Sequence, residues 1–201
     1  MTITRIDTYQ DNRFSQKVLW QHGCFLVDEI PYEVEIISDY EAVIRGAAPA
    51  VYAAIIDDFR FYTPHITRFY DGNRCIVKEF PAKQIFTLQL EQIQPSQFYV
   101  DKDKIAAIGS FIQRPDDIIV QVLPHQGRYI SLDGHTRLYY AVMNGWESVR
   151  AVAETSDDWV YGFVEEAMKR GIHAPKDLIP VSHEEYEEKW NRFCDDFLSG
   201  T

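Results

Sequence analysis

Cysteine is scarce in this 201-residue chain, and what there is excludes two classes of protein. Cys24, Cys75 and Cys194 are odd in number and far apart, unlike the spacing of a zinc site or a disulfide framework. Reduced thiols are expected, as in the cytoplasm. Basic residues are also few. Twenty Lys and Arg face 31 Asp and Glu, a formal charge of −11, and no Lys/Arg-rich run stands out. Phosphate backbones repel such a surface, so duplex DNA is not an expected partner. No apolar run is long enough to cross a membrane, and the first residues lack a signal peptide's basic start and apolar stretch. A cytoplasmic location is the expectation. Internal repeats and low-complexity segments are absent too. What remains, 46% hydrophobic and 25% charged residues, is the composition of an ordinary globular protein.

The most informative stretch is Arg128 to Trp146. Tyr129–Leu132 is short, apolar and partly β-branched, as a buried strand is. Asp133-Gly134 is a breaker pair. Leu138, Ala141 and Val142 then fall at helical spacing, Asn144-Gly145 has the form of a left-handed helix cap, and Val149–Ala153 reads as another strand. Cations are unfavourable by roughly 0.3–1 kcal/mol at a helix N-terminus. His135 and Arg137 nevertheless occupy that first turn, with Thr136 between them. Two readings stand side by side. A bound anion would collect the free N–H groups, Thr136 and Arg137 around itself. Alternatively, Asp133 caps the helix and pairs with Arg137 at i, i+4.

Asp133-Gly134-His135-Thr136-Arg137, followed by Ala141 and Gly145, resembles the signature turn of the ParB/sulfiredoxin superfamily. The resemblance extends over the strand Phe86–Leu90 with its Ile93-Gln94-Pro95 step, the helix around Asp103–Ile108 and the hairpin from Ile118 to Leu132. It covers about the middle third of the chain and rests on one sharp pentapeptide. It implies an α+β fold with a ParB/sulfiredoxin-like core at 83–153, preceded by an N-terminal α+β subdomain at 1–82. A C-terminal helical extension, 154–201, would pack on the core.

Within that superfamily, sulfiredoxins need a cysteine where this chain has His135, and without a thiolate that chemistry fails. Chromosome-partitioning ParB proteins carry a glutamate-arginine pair in place of His135-Thr136 and a basic helix-turn-helix afterwards, which the acidic stretch beyond Ala153 does not resemble. The ParB-like free-serine kinases, with aspartate-glycine-histidine-histidine-arginine, are most similar at the turn, and Thr136 replaces their second histidine. That resemblance implies a nucleotide cofactor (ATP, ADP or CTP) with magnesium. Gly134, His135, Thr136, Arg137 and Gln97 would belong to its site, and Asp133 would sit at the chemistry. Gln97 stands where those kinases have their glutamate base, and an amide accepts no proton. Glu91 and Asp101 are the other carboxylates nearby in sequence. The implied activity is that of a small-molecule phosphotransferase or nucleotide hydrolase. The alternative is a non-catalytic nucleotide- or anion-binding module with a protein partner.

Elsewhere the reading is local. The first two dozen residues read as a polar arm. Tyr32–Ile36 alternates like a half-buried strand, Asp39–Arg45 suggests a short helix stopped by Gly46, and Pro49 opens a second helix to about Arg60. Ile66–Phe80 reads as a hairpin turning tightly at Asp71-Gly72. Tyr62, His65 and Tyr70 are candidates for a pocket wall, although aromatic residues at such spacing more often belong to a core. Ser156 is expected to cap a helix that Gly171 ends. Ser182-His183-Glu184-Glu185 is a capping box, not a zinc motif, because no second histidine follows at helical spacing. The aromatic stripe Tyr186, Trp190, Phe193 and Phe197 marks a terminal helix with a buried face.

Overall fold

The computed structural model describes residues 1–200, and the chain divides into two units, Met1–Gln84 and Ile85–Thr201. Secondary structure is mixed α+β in both. The first unit runs β1 (Ile3–Arg5), α1 (Gln16–Trp20), β2 (Cys24–Val27), β3 (Ile30–Ile36), β4 (Glu41–Gly46), α2 (Tyr52–Tyr62), β5 (Arg68–Tyr70) and β6 (Ile76–Glu79). Its six strands form one sheet in chain order, antiparallel except for β4 and β5, which α2 connects in parallel. Tyr52, Ile55, Ile56 and Phe59 of α2 pack on Phe25, Val34, Ile44 and Phe69 of the sheet.

Three local expectations fail here for physical reasons. The expected helix over Asp39–Arg45 is the strand β4. Ala42, Val43 and Ile44 are all buried, and a strand covered on both faces shows a continuous apolar run rather than alternation. The polar arm is in fact β1, α1 and β2, with Phe14, Val18 and Leu19 packed against Cys24 and Leu26. The turn after β5 is longer than an Asp-Gly pair. Asp71 Oδ1 accepts from the N–H groups of Asn73 and Cys75, and the left-handed residue is Arg74, not Gly72. Of the residues named for a pocket wall, Tyr62 has Arg5 over its ring, His65 is buried, and Tyr70 donates to Glu41.

The second unit runs β7 (Ile85–Gln89), β8 (Ile93–Pro95), β9 (Tyr99–Asp101), α3 (Lys102–Ile108), β10 (Ile119–His125), β11 (Arg128–Ser131), α4 (His135–Met143), β12 (Ser148–Ala153), α5 (Trp159–Lys169), β13 (Ile179–Val181), α6 (His183–Tyr186) and α7 (Arg192–Ser199). A π-helical turn, Glu187–Asn191, makes α6 and α7 continuous. The main sheet has the order β7-β12-β10-β11-β8, with β12/β10 and β11/β8 parallel and the other pairs antiparallel. A short parallel pair, β13 with β9, lies apart from it. The hairpin β10–β11 turns at Gln126-Gly127, both left-handed, as a primed turn requires.

Helices α4 and α5 end alike. At Gly145, φ +70°, the N–H of Trp146 reaches the Ala141 carbonyl. At Gly171, φ +80°, the N–H of Ile172 reaches that of Ala167. Each is a Schellman closure. Ser182 and Glu185 complete the capping box reciprocally. Ser156 does not cap α5, whose N-cap is Asp158 without a side-chain bond, because the hydroxyl of Ser156 turns to the Asp157 carbonyl. Ile130 packs with Val160 and Val164, which fixes α5 on the sheet, while Phe98, Phe163, Trp190 and Phe193 form an aromatic cluster that holds the terminal helix. Among the described residues no helix is long and apolar enough to cross a membrane.

Candidate functional site

Strands β8 and β11 run parallel, with Ser131 opposite Pro95, so their carboxyl ends lie side by side. Two loops therefore leave the sheet together: Ser96-Gln97-Phe98 after β8, and Leu132-Asp133-Gly134 after β11. Crevices beyond the carboxyl ends of parallel strands are where such sheets take ligands. Each sequence-derived site residue sits on one of these loops or in the first turn of α4.

Gly134 is the N-cap of α4, in the left-handed region at φ +83°. A Cβ there would stand 2.8 Å from Val120 Cγ1 and 3.1 Å from a terminal nitrogen of Arg137. Glycine is thus demanded twice, by dihedral and by the close approach of the Val120 methyl. Gly134 itself makes no side-chain cap bond, and the Asp133 carboxylate beside it accepts from Arg137. The first helical bond is from Leu138 N–H to the Gly134 carbonyl, which leaves the N–H groups of His135, Thr136 and Arg137 with no intrahelical acceptor.

Arg137 is held beside this turn. One terminal nitrogen donates to the Ile119 carbonyl at 3.0 Å, the other to Asp133 Oδ2 at 2.9 Å. The i, i+4 ion pair of the alternative reading is therefore present. Its side chains are 32% and 45% exposed, which limits its worth to about 0.2–1 kcal/mol. A phosphate could displace such a pair without a large penalty. Thr136 is half-buried at the second helical position.

His135 departs from the first-turn argument. It is 6% exposed, and burial pushes its pKa down to about 4, so it is neutral rather than cationic at physiological pH. Its Nε2 lies 3.3 Å from the Ser96 N–H and 2.9 Å from Ser131 Oγ. The Ser96 N–H can only donate, so Nε2 is the acceptor and Nδ1 carries the proton. The hydroxyl of Ser96 donates to the Ser131 carbonyl at 2.7 Å, which leaves Ser131 Oγ–H as the second donor to the ring. The histidine is a buried latch that ties the loop after β8 to the end of β11.

Gln97 lies on that latched loop, but its amide is engaged elsewhere. Nε2 donates to the Tyr99 carbonyl and, at 3.3 Å, to the Tyr186 hydroxyl on α6. Of the other carboxylates named from sequence, Glu91 lies in a 3-10 turn before β8, while Asp101 is 1% exposed and caps α3 by accepting from Asp103 N–H at 2.8 Å. Its second oxygen meets His183 Nδ1 at 2.7 Å. Sequence reasoning missed this pair, whose members are 82 residues apart. For the metal, no group of three or more His, Cys, Asp or Glu suited to an ion occurs among the described residues. Magnesium often arrives on phosphates and needs only one or two protein carboxylates. Asp133 is the carboxylate the turn offers.

No protein-family model matches the sequence, and no curated protein matches it. Among solved structures, the chain is similar to the crystal structure of protein Atu1540 from Agrobacterium tumefaciens, at 16% identity and a TM-score of 0.36. The match covers 48% of this chain and 62% of the length of that one.

Proposed function

We propose that this chain is a ParB/sulfiredoxin-like protein that binds the phosphates of a nucleotide at the turn from Gly134 to Arg137. The observation that carries the reading is the uncapped first turn of α4, opened by a left-handed glycine against which a guanidinium packs. Backbone N–H groups and the helix dipole supply a positive site for an anion, and Arg137 adds a charge-assisted donor. Asp133, half-exposed at the same corner, is the group placed for chemistry, as the carboxylate that would meet magnesium or an acceptor hydroxyl. On this reading the protein is a small-molecule phosphotransferase or nucleotide hydrolase. A second reading, a non-catalytic nucleotide-binding module, is favoured by one observation: the amide of Gln97 is engaged with Tyr99 and Tyr186 and accepts no proton.

Thermal denaturation with ATP, ADP and CTP, with and without magnesium, tests the common part. At least one nucleotide is expected to raise the melting temperature by several degrees, and Arg137→Ala to weaken its binding roughly 10–100-fold, the worth of a hydrogen bond to a charged group. No shift with any nucleotide defeats both readings. Asp133→Asn separates them. Under the catalytic reading it keeps binding and abolishes phosphate or ADP release with small hydroxyl acceptors or water. A module has no turnover to lose. The acidic surface adds one more expectation. Fluorescence anisotropy with duplex DNA at physiological salt should give no tight, salt-sensitive binding.

A further inference from the structure

A further polar feature with two anchored ends is the Asp101–His183 pair. Asp101 ends β9 and caps α3, and its carboxylate is almost wholly buried. His183 is the first residue of α6, with its ring 57% exposed and only Nδ1 committed. A cation at that first position opposes the helix dipole, so the carboxylate opposite is what holds it. The charges that act on the ring are acidic: Asp101, which it touches, then Glu187 from the following turn and Asp103 from α3 at longer range. Lys104, also on α3, is drawn off over the Tyr186 ring, 5.6 Å from its centroid. The elements joined by the pair are also joined by Gln97, which bonds both the Tyr99 carbonyl of β9 and the Tyr186 hydroxyl of α6.

We propose that Asp101 and His183 form a proton-dependent clasp that fastens the start of the terminal helix to β9 and α3. With the imidazolium present, the buried carboxylate has a charged partner. When the ring is neutral, Nδ1–H still donates, but the attraction between full charges is gone and the acidic neighbours are no longer balanced. The hydrogen bond to Asp101 raises the histidine's pKa above its ordinary 6.5. Below 6.5 both folded and unfolded histidines are charged and the contribution is whole. It is lost as pH rises through the raised value of the folded state. The clasp is therefore closed in mild acid and loosened in alkali.

NMR titration of the histidine side chains gives the direct test: His183 should titrate above 6.5, and in Asp101→Asn, which keeps a good helix cap, it should fall back towards that value. Amide exchange over residues 183–199 gives the second. Glutamine at 183 keeps a donor without a charge, so His183→Gln should show several-fold lower protection than wild type at pH 6, the gap closing by about pH 9. His183→Lys, charged throughout that range, should keep the helix start protected at pH 9 better than wild type. A His183 pKa at or below 6.5, or equal protection in wild type and His183→Gln at pH 6, overturns the proposal.

Discussion

Replacing His135 by leucine is expected to destabilise the protein by about 1–3 kcal/mol at pH 7, the cost of a buried donor left without its acceptor. The donor is the Ser96 N–H, which has the imidazole Nε2 as its partner. The Ser131 hydroxyl loses the same acceptor but can rotate, so it adds less. The histidine also gives a pH dependence of known sign. An unfolded histidine takes up its proton below about 6.5, whereas the buried ring resists protonation until about 4. Between those values the unfolded state binds more protons, so stability falls as the solution is acidified and levels off below about pH 4. The full effect is on the order of 3 kcal/mol for a shift of this size. Urea unfolding at pH 7, 5.5 and 4, followed through the second unit, should show that loss in wild type. His135→Leu, lower at pH 7, should lack the step. A wild-type stability that stays flat over the same range would contradict a neutral, buried His135.

His135 also marks the boundary of what could be read from sequence. The strand-turn-helix-strand around Asp133-Gly134 was legible because each step has a local cause: a short apolar run, a breaker pair, helical spacing, and a glycine that accepts a left-handed backbone. The caps at Gly145, Gly171 and Ser182 were legible for the same reason. The role of His135 was not, since its partners Ser96 and Ser131 come from another strand end and from the previous strand. Nothing in Asp133–Arg137 reveals that the ring turns inward. The Asp101–His183 and Gln97–Tyr186 contacts span 82 and 89 residues and leave no local trace. Errors of the opposite kind arose where tertiary burial overrode a local pattern. Glu41-Ala42-Val43-Ile44-Arg45 has no strand alternation because β3 and β5 flank it and both its faces are covered. A short apolar run bounded by charges reads equally as one helical turn.

Gly134 carries the larger structural consequence, and its substitution joins the stability of the second unit to the proposed site. A left-handed backbone costs a side-chain-bearing residue about 1–2 kcal/mol, and more when the side chain is β-branched. A Cβ 2.8 Å from Val120 Cγ1 adds crowding in a packed sheet, typically a further ~1–3 kcal/mol. Gly134→Ala is expected to lose roughly 2–5 kcal/mol in chemical denaturation, and Gly134→Val more. Two further variants separate the causes. Asparagine tolerates the left-handed region, so the loss that remains in Gly134→Asn measures crowding. In Gly134→Ala with Val120→Ala the sheet-side clash is removed, and the double mutant should be more stable than the sum of the single losses predicts. The same new Cβ would stand 3.1 Å from the Arg137 guanidinium and shift it by a few tenths of an ångström. Nucleotide stabilisation should therefore weaken in Gly134→Ala even at a temperature where the variant is still folded. A Gly134→Ala protein within about 0.5 kcal/mol of wild type would mean that neither the dihedral nor the close approach constrains this turn. One that loses stability yet keeps the full nucleotide shift would mean that the packing of Arg137 against Gly134 does not matter to the proposed phosphate site.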